Sequence, residues 1–124
     1  MDFKIDTKDS FTTIMPLETE ISAKMTGELV LKMEEMRQSG SKNFIIDFQQ
    51  CLEIDENVLP DLIAMHEDSY GREQSLVFTG IKEKVLAILK KDESDLLLNI
   101  APTIIEAIDI VSMEILEREL LGEE

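Results

Sequence analysis

An α/β fold is the prediction: one small domain with a mixed, mostly parallel central sheet, an N-terminal hairpin and about four helices. Three observations lead to it. Short apolar runs alternate along the chain with segments of helical periodicity, which implies right-handed crossovers between parallel strands. Phe44-Ile45-Ile46, continued by Asp47-Phe48, is an unbroken run of the kind found in a strand buried on both faces. The chain has 124 residues, 44% of them hydrophobic, enough for a single core and too little for two.

The elements follow in order. Phe3 to Ile5 and Thr12 to Met15 form a hairpin through Lys8-Asp9-Ser10, and Pro16 closes it. Ser22 caps a helix whose stripe is Met25, Leu29, Met33 and Met36, ended by Ser39-Gly40-Ser41. After the strand Phe44 to Phe48 comes a second helix, from about Val58 to about Ser69 and stopped near Gly71. Leu76 to Gly80 is a strand. Ile81, Val85, Ile88 and Leu89 stripe a helix that ends at Lys90-Lys91, where cations suit the negative helix end. Leu96 to Ile100 reads as a last strand, and Pro102-Thr103 opens a terminal helix to about Leu121. Residues 1–124 thus read as one domain, those from about 112 forming a helical extension.

Charge narrows the function. Asp and Glu total 27 against 12 Lys and Arg, a formal net charge of −15. Such a field repels nucleic acid and anionic head groups, so neither is an expected partner. It serves either solubility or attraction of a basic protein surface. No apolar run is long enough for membrane insertion, and the first residues lack the pattern of a signal peptide. A lone Cys51 excludes an internal disulfide and fits a reducing compartment, so the cytoplasm is expected.

No coherent catalytic set emerges. Asp55, Glu56 and Asp61 form a carboxylate cluster, but they have no partner base, no apolar pocket wall and no calcium-loop pattern. His66, the only histidine, has no companion at zinc-ligand spacing and reads as partly buried or bordering an interface. Neither a metal nor another cofactor is expected. Asn57 suits a helix cap, alone or combined with a recognition contact, and Pro60 then falls in the first turn while biasing Leu59 away from helical angles.

The strand Ile45-Ile46-Asp47-Phe48, the helix start at Asp55, the strand end Phe78-Thr79-Gly80 and the run Leu98-Asn99-Ile100-Ala101-Pro102-Thr103 followed by Glu106-Ala107 together carry a resemblance. Their order and spacing, over roughly Phe3 to Val111, resemble the STAS domain family of anti-sigma factor antagonists. That family's signature is Asp-Ser-Ser-Gly at the start of the second helix, its second serine phosphorylated by a kinase that is also the anti-sigma factor. Here the signature reads Asp55-Glu56-Asn57-Val58, so only the aspartate matches. An amide cannot accept a phosphoryl group, and Glu56 places a permanent charge beside the position. Ser69 or Thr79 could offer a phosphosite elsewhere.

The resemblance implies a non-enzymatic regulatory domain that docks a protein partner, an anti-sigma factor or kinase-like regulator, through the loop and start of the second helix. Asp55, Glu56, Asn57, Leu59 and Asp61 are the expected contacts, with His66 at the margin: the acids for charge, Asn57 for capping and contact, Leu59 as apolar anchor. The alternatives are a module sensing a lipid or nucleotide, or a transporter-associated component. In the terminal helix Met113, Leu116, Leu120 and Leu121 widen the apolar stripe beyond one core face, and a homodimer through them is expected.

Overall fold

The order of the strands is set by where buried apolar residues meet. In the structure, a computed structural model describing residues 2–122, β1 (Phe3–Thr7) and β2 (Thr12–Pro16) form the antiparallel hairpin. Then come β3 (Glu20–Ile21), α1 (Ala23–Gln38), β4 (Phe44–Asp47), β5 (Glu53–Ile54) and a 3-10 turn (Glu56–Val58). α2 (Leu59–Gly71), β6 (Leu76–Thr79), α3 (Glu83–Lys91), a second 3-10 turn (Ser94–Leu97), β7 (Ile100–Ala101) and α4 (Ile104–Gly122) complete the chain. The main sheet has five strands in the order β1-β2-β4-β6-β7, parallel except for the hairpin. β4 is its centre, as its run of four buried residues foretells.

Because side chains alternate across a strand, the sheet builds two cores. Phe44, Ile46, Leu76 and Phe78 join Met25, Leu29 and Met33 of α1, Leu62 and Met65 of α2, and Val85 and Leu89 of α3. The interleaved Ile45, Val77 and Ala101 meet Ala107 and Val111 of α4. Three helices therefore cover one face, and α4 alone covers the other. The rings of Phe48 and Phe78 stack at 5.6 Å in the first core.

Local chemistry sets the helix bounds. Ser22 Oγ accepts the Met25 amide at 3.2 Å and starts α1. The far end of α1 is tied to α2 by Arg37, whose guanidinium donates to Gln74 at 3.0 Å and Ser69 Oγ at 2.9 Å and lies over the Phe44 ring. Burial lowers the Arg37 pKa, opposed by the nearby Asp68 and Glu34 carboxylates. Thr103 accepts the Glu106 amide at 3.2 Å at the start of α4.

Two expectations are corrected and one element is added. The strand over Leu96 to Ile100 shrinks to Ile100–Ala101. Glu93 sits in left-handed backbone at φ 58°, and the Leu96 amide donates to its carbonyl at 3.1 Å, so the chain coils into a turn that leaves Leu96 and Leu97 exposed. The β3–β5 pair, a separate parallel ribbon of two residues a side, went unforeseen because strands that short carry no periodic signal. Leu59 is fully helical at φ −54° and ψ −45° despite preceding Pro60, because the preceding 3-10 turn has already closed.

Amide exchange tests the central placement of β4: the Ile45 and Ile46 amides should be among the slowest in the protein. Phe78→Ala, which empties space in the core covered by three helices, should lower the unfolding free energy by about 3–5 kcal/mol in a urea titration.

Candidate functional site

The loop between β4 and α2 leaves the sheet at the C-terminal ends of its parallel strands, where side chains and helix-start amides meet solvent. Its base is rigid. Asp47 is buried at the end of β4, its Oδ1 accepting the Gln49 amide at 3.0 Å and its Oδ2 accepting Gln49 Nε2 at 2.8 Å. Gly80 packs against this turn at φ 70°, and a Cβ there would collide with Asp47 Oδ1 and lie 3.0 Å from the Gln49 nitrogen. Only glycine meets both conditions at once.

The β3–β5 ribbon then holds the loop. The Leu52 amide donates to the Thr19 carbonyl at 2.7 Å, and the Asp55 amide to the Ile21 carbonyl at 3.0 Å. Asp55 Oδ1 accepts the Asn57 amide at 2.9 Å, and the Asp55 carbonyl accepts the Val58 amide at 3.0 Å. The cap is therefore Asp55, a correction to the role expected of Asn57. Being inside the turn, Asn57 supplies an amide hydrogen to the cap and leaves its side chain exposed beside Glu56.

The six expected contact residues do not share one surface. Asp55, Glu56 and Asn57 lie together at the turn. Leu59 is only 5% exposed, in the core beside Val58 and Leu62, so it supports the turn from beneath and is not available as an apolar anchor. Asp61 points toward α1 and accepts the Thr26 hydroxyl at 3.2 Å, in a groove of about 430 Å³ between α1 and α2. His66 stands farther along α2, its ring 4.6 Å from that of Tyr70.

Other residues enter instead. Leu52, 54% exposed in the loop, is the apolar side chain a partner can reach there. Its neighbours Cys51 and Ile54 are apolar too, and both are buried, so nothing in the sequence singled out Leu52 as the exposed one. Lys91 and Asp92, from the end of α3, border with Glu56, Asn57 and Pro60 a depression of about 340 Å³. Nothing in their sequence placement announced that either. Lys84 also reaches Glu53 at 3.2 Å, bracing the ribbon from α3.

The reactive groups are quiet. Cys51 is buried, and desolvation, with Glu18 and Asp47 nearby, pushes its thiol up to about 11. Ser69 and Thr79 are fully buried, with Ser69 accepting from Arg37 and Thr79 donating to the Ala101 carbonyl at 2.9 Å, so neither hydroxyl is open to a kinase in the folded chain. Among the described residues no group of three or more His, Cys, Asp or Glu is arranged to hold a metal ion, and no helix is long and apolar enough to cross a membrane.

No family model matches the chain, and no curated protein matches it. Solved structures do. A Thermotoga maritima protein described as an anti-sigma factor antagonist matches at TM-score 0.73 and 16% identity, over 89% of this chain and 94% of that one. A STAS domain protein from Planctomyces limnophilus matches at 0.73 and 11%, over 90% and 99% of the two chains. Moorella thermoacetica RsbS matches at 0.67 and 21%, over 90% and 96%. The chain has the STAS fold. On this fold the expected architecture of a mixed sheet, an N-terminal hairpin and four helices is shown element for element, apart from the shortened last strand and the added ribbon.

His66 supplies a pH test of the STAS fold's integrity. Burial lowers its pKa against the opposing charges of Glu114 and Glu67, and its buried Nδ1 has no hydrogen-bond partner. The folded state thus favours the neutral ring, whereas the unfolded chain takes up the proton near pH 6.5. Its stabilisation is present above about pH 6.5 and lost as pH falls through the lower folded value. The drop in Tm as pH falls below about 6.5 should be flattened by His66→Phe.

Proposed function

We propose that this chain is a non-enzymatic regulatory domain that docks a protein partner, an anti-sigma factor or kinase-like regulator, through the Leu52–Asp61 segment. The observation that carries this reading is the Asp55-capped turn. It presents Glu56 and Asn57 to solvent from a backbone held by the β3–β5 ribbon, at the sheet edge of a STAS fold. Asp55 orders the turn, Glu56 supplies charge to a basic partner surface, Asp61 adds to the negative field from the neighbouring α1–α2 groove, Asn57 offers an uncharged donor and acceptor, and Leu52 is the apolar contact. His66 stays at the margin.

Docking of this kind would lack the phosphoserine switch that the STAS resemblance implies. No Ser, Thr or Tyr lies between Leu52 and Leu62. The loop is accordingly in a permanently unphosphorylated state, with Glu56 as its fixed charge.

Calorimetric titration of the full chain with purified kinase-type anti-sigma factors tests the reading. One-to-one binding is expected, weakened about tenfold or more by Glu56→Lys, a loss of roughly 1.4 kcal/mol or more. Asp55→Ala should weaken it too, and lower stability by about 1 kcal/mol through loss of the cap. Incubation with the kinase and ATP should leave the peptide Leu52–Leu62 free of phosphate. Binding unchanged by Glu56→Lys would move the interface elsewhere.

A further inference from the structure

α4 has two apolar sides, and only one is used by the fold. With about 100° between successive residues, Ala107 and Val111 face the sheet. Ile105, Asp109, Met113, Leu116 and Leu120 fall within an arc of roughly 80° on the opposite side. The four apolar members of that arc are each more than half exposed, from 55% at Leu116 to 69% at Ile105. Leu121 is exposed as well, but it lies outside the arc, over the cleft beside Tyr70.

The charges around the stripe decide what fits it. Asp109 lies within it, Glu119 flanks one side, and Glu106 and Glu117 flank the other. The single cation of α4, Arg118, is turned inward, donating to Asn43 Oδ1 at 3.1 Å and Ser75 Oγ at 3.0 Å. Lys8 and Lys42 sit beside Ile115, on the flank toward the hairpin turn, and Lys8 already pairs with Asp6 at 3.4 Å. A second copy of α4 would therefore meet this stripe with like charges and no free cation of its own. Burying Asp109 unpaired would add a desolvation cost.

We infer that the outer face of α4 is a docking surface for a basic amphipathic helix of another protein, whose apolar residues cover Met113, Leu116 and Leu120 while a Lys or Arg meets Asp109. The inference goes beyond the docking turn and is independent of it, since α4 covers the opposite face of the sheet. It also replaces the homodimer expected from the same side chains.

A fluorescently labelled amphipathic peptide of leucine and lysine, with a leucine–glutamate peptide as control, tests it on the full chain. The lysine peptide should bind saturably at one to one and weaken as salt is raised, and the glutamate peptide should not bind. The Leu116→Glu, Leu120→Glu double variant should weaken binding roughly tenfold or more. Asp109→Asn, exposed and harmless to folding, should weaken it several-fold. Glu56→Lys, on the other face, should leave it near the parent value. Equal binding to the parent, the double variant and Asp109→Asn would reveal only general attraction to an acidic protein and overturn the inference. So would a concentration-dependent dimer in sedimentation that the double variant disperses, which would make the occupant a second copy.

Discussion

Everything in this molecule hangs on β4. It pairs with β2 on one edge and β6 on the other, and all four of its residues are buried. Phe44 and Ile46 anchor the three-helix face, and Ile45 anchors α4. A strand enclosed on both faces and both edges has one register available, because a shift of one residue would exchange the two cores. That single register decides which loops emerge together at the C-terminal edge of the sheet. Asp47, the last residue of β4, carries the constraint outward by fixing Gln49 against Gly80.

The Asp55-capped turn shows how little regular structure is needed to hold the backbone of a loop. Two residues of β3 paired with two of β5, one carboxylate cap and one ion pair from Lys84 define its backbone. Such a preordered loop loses little conformational entropy on binding. A net charge of −15 would attract a basic surface over long range, and Glu56 adds a fixed, exposed charge at the turn.

Polar contacts fasten α4 beyond Ala107 and Val111, the residues that pack on the sheet. Tyr70 donates to Glu114 at 2.7 Å, Asn99 donates to the Tyr70 hydroxyl at 2.8 Å and to Glu114 at 3.2 Å, and Arg118 reaches across to Asn43 and Ser75. Burial and the bond to Glu114 push the Tyr70 phenol up to about 12, so it remains a donor at any ordinary pH. The outer stripe of α4 is thus presented on a helix clamped to the sheet by both packing and polar contacts.

Composition and periodicity determined a good deal: the α/β class, the hairpin, the buried strand at Phe44, Ser22 as a cap, and the four helices to within a few residues. These are properties of neighbours along the chain, where a run or a spacing of three and four carries the physics. Tertiary structure decided what depends on distant partners. Leu96 and Leu97 look like a strand, yet a turn at Glu93 exposes them. Asn57 looks like a cap, yet pairing of β5 with β3 moves the cap to Asp55. Leu59 looks like an anchor, yet α2 rotates it into the core and leaves Leu52 outside. In each case residue type defined a capacity, and the register between remote segments determined which residue could exercise it. Only packing assigns each side chain to core or solvent.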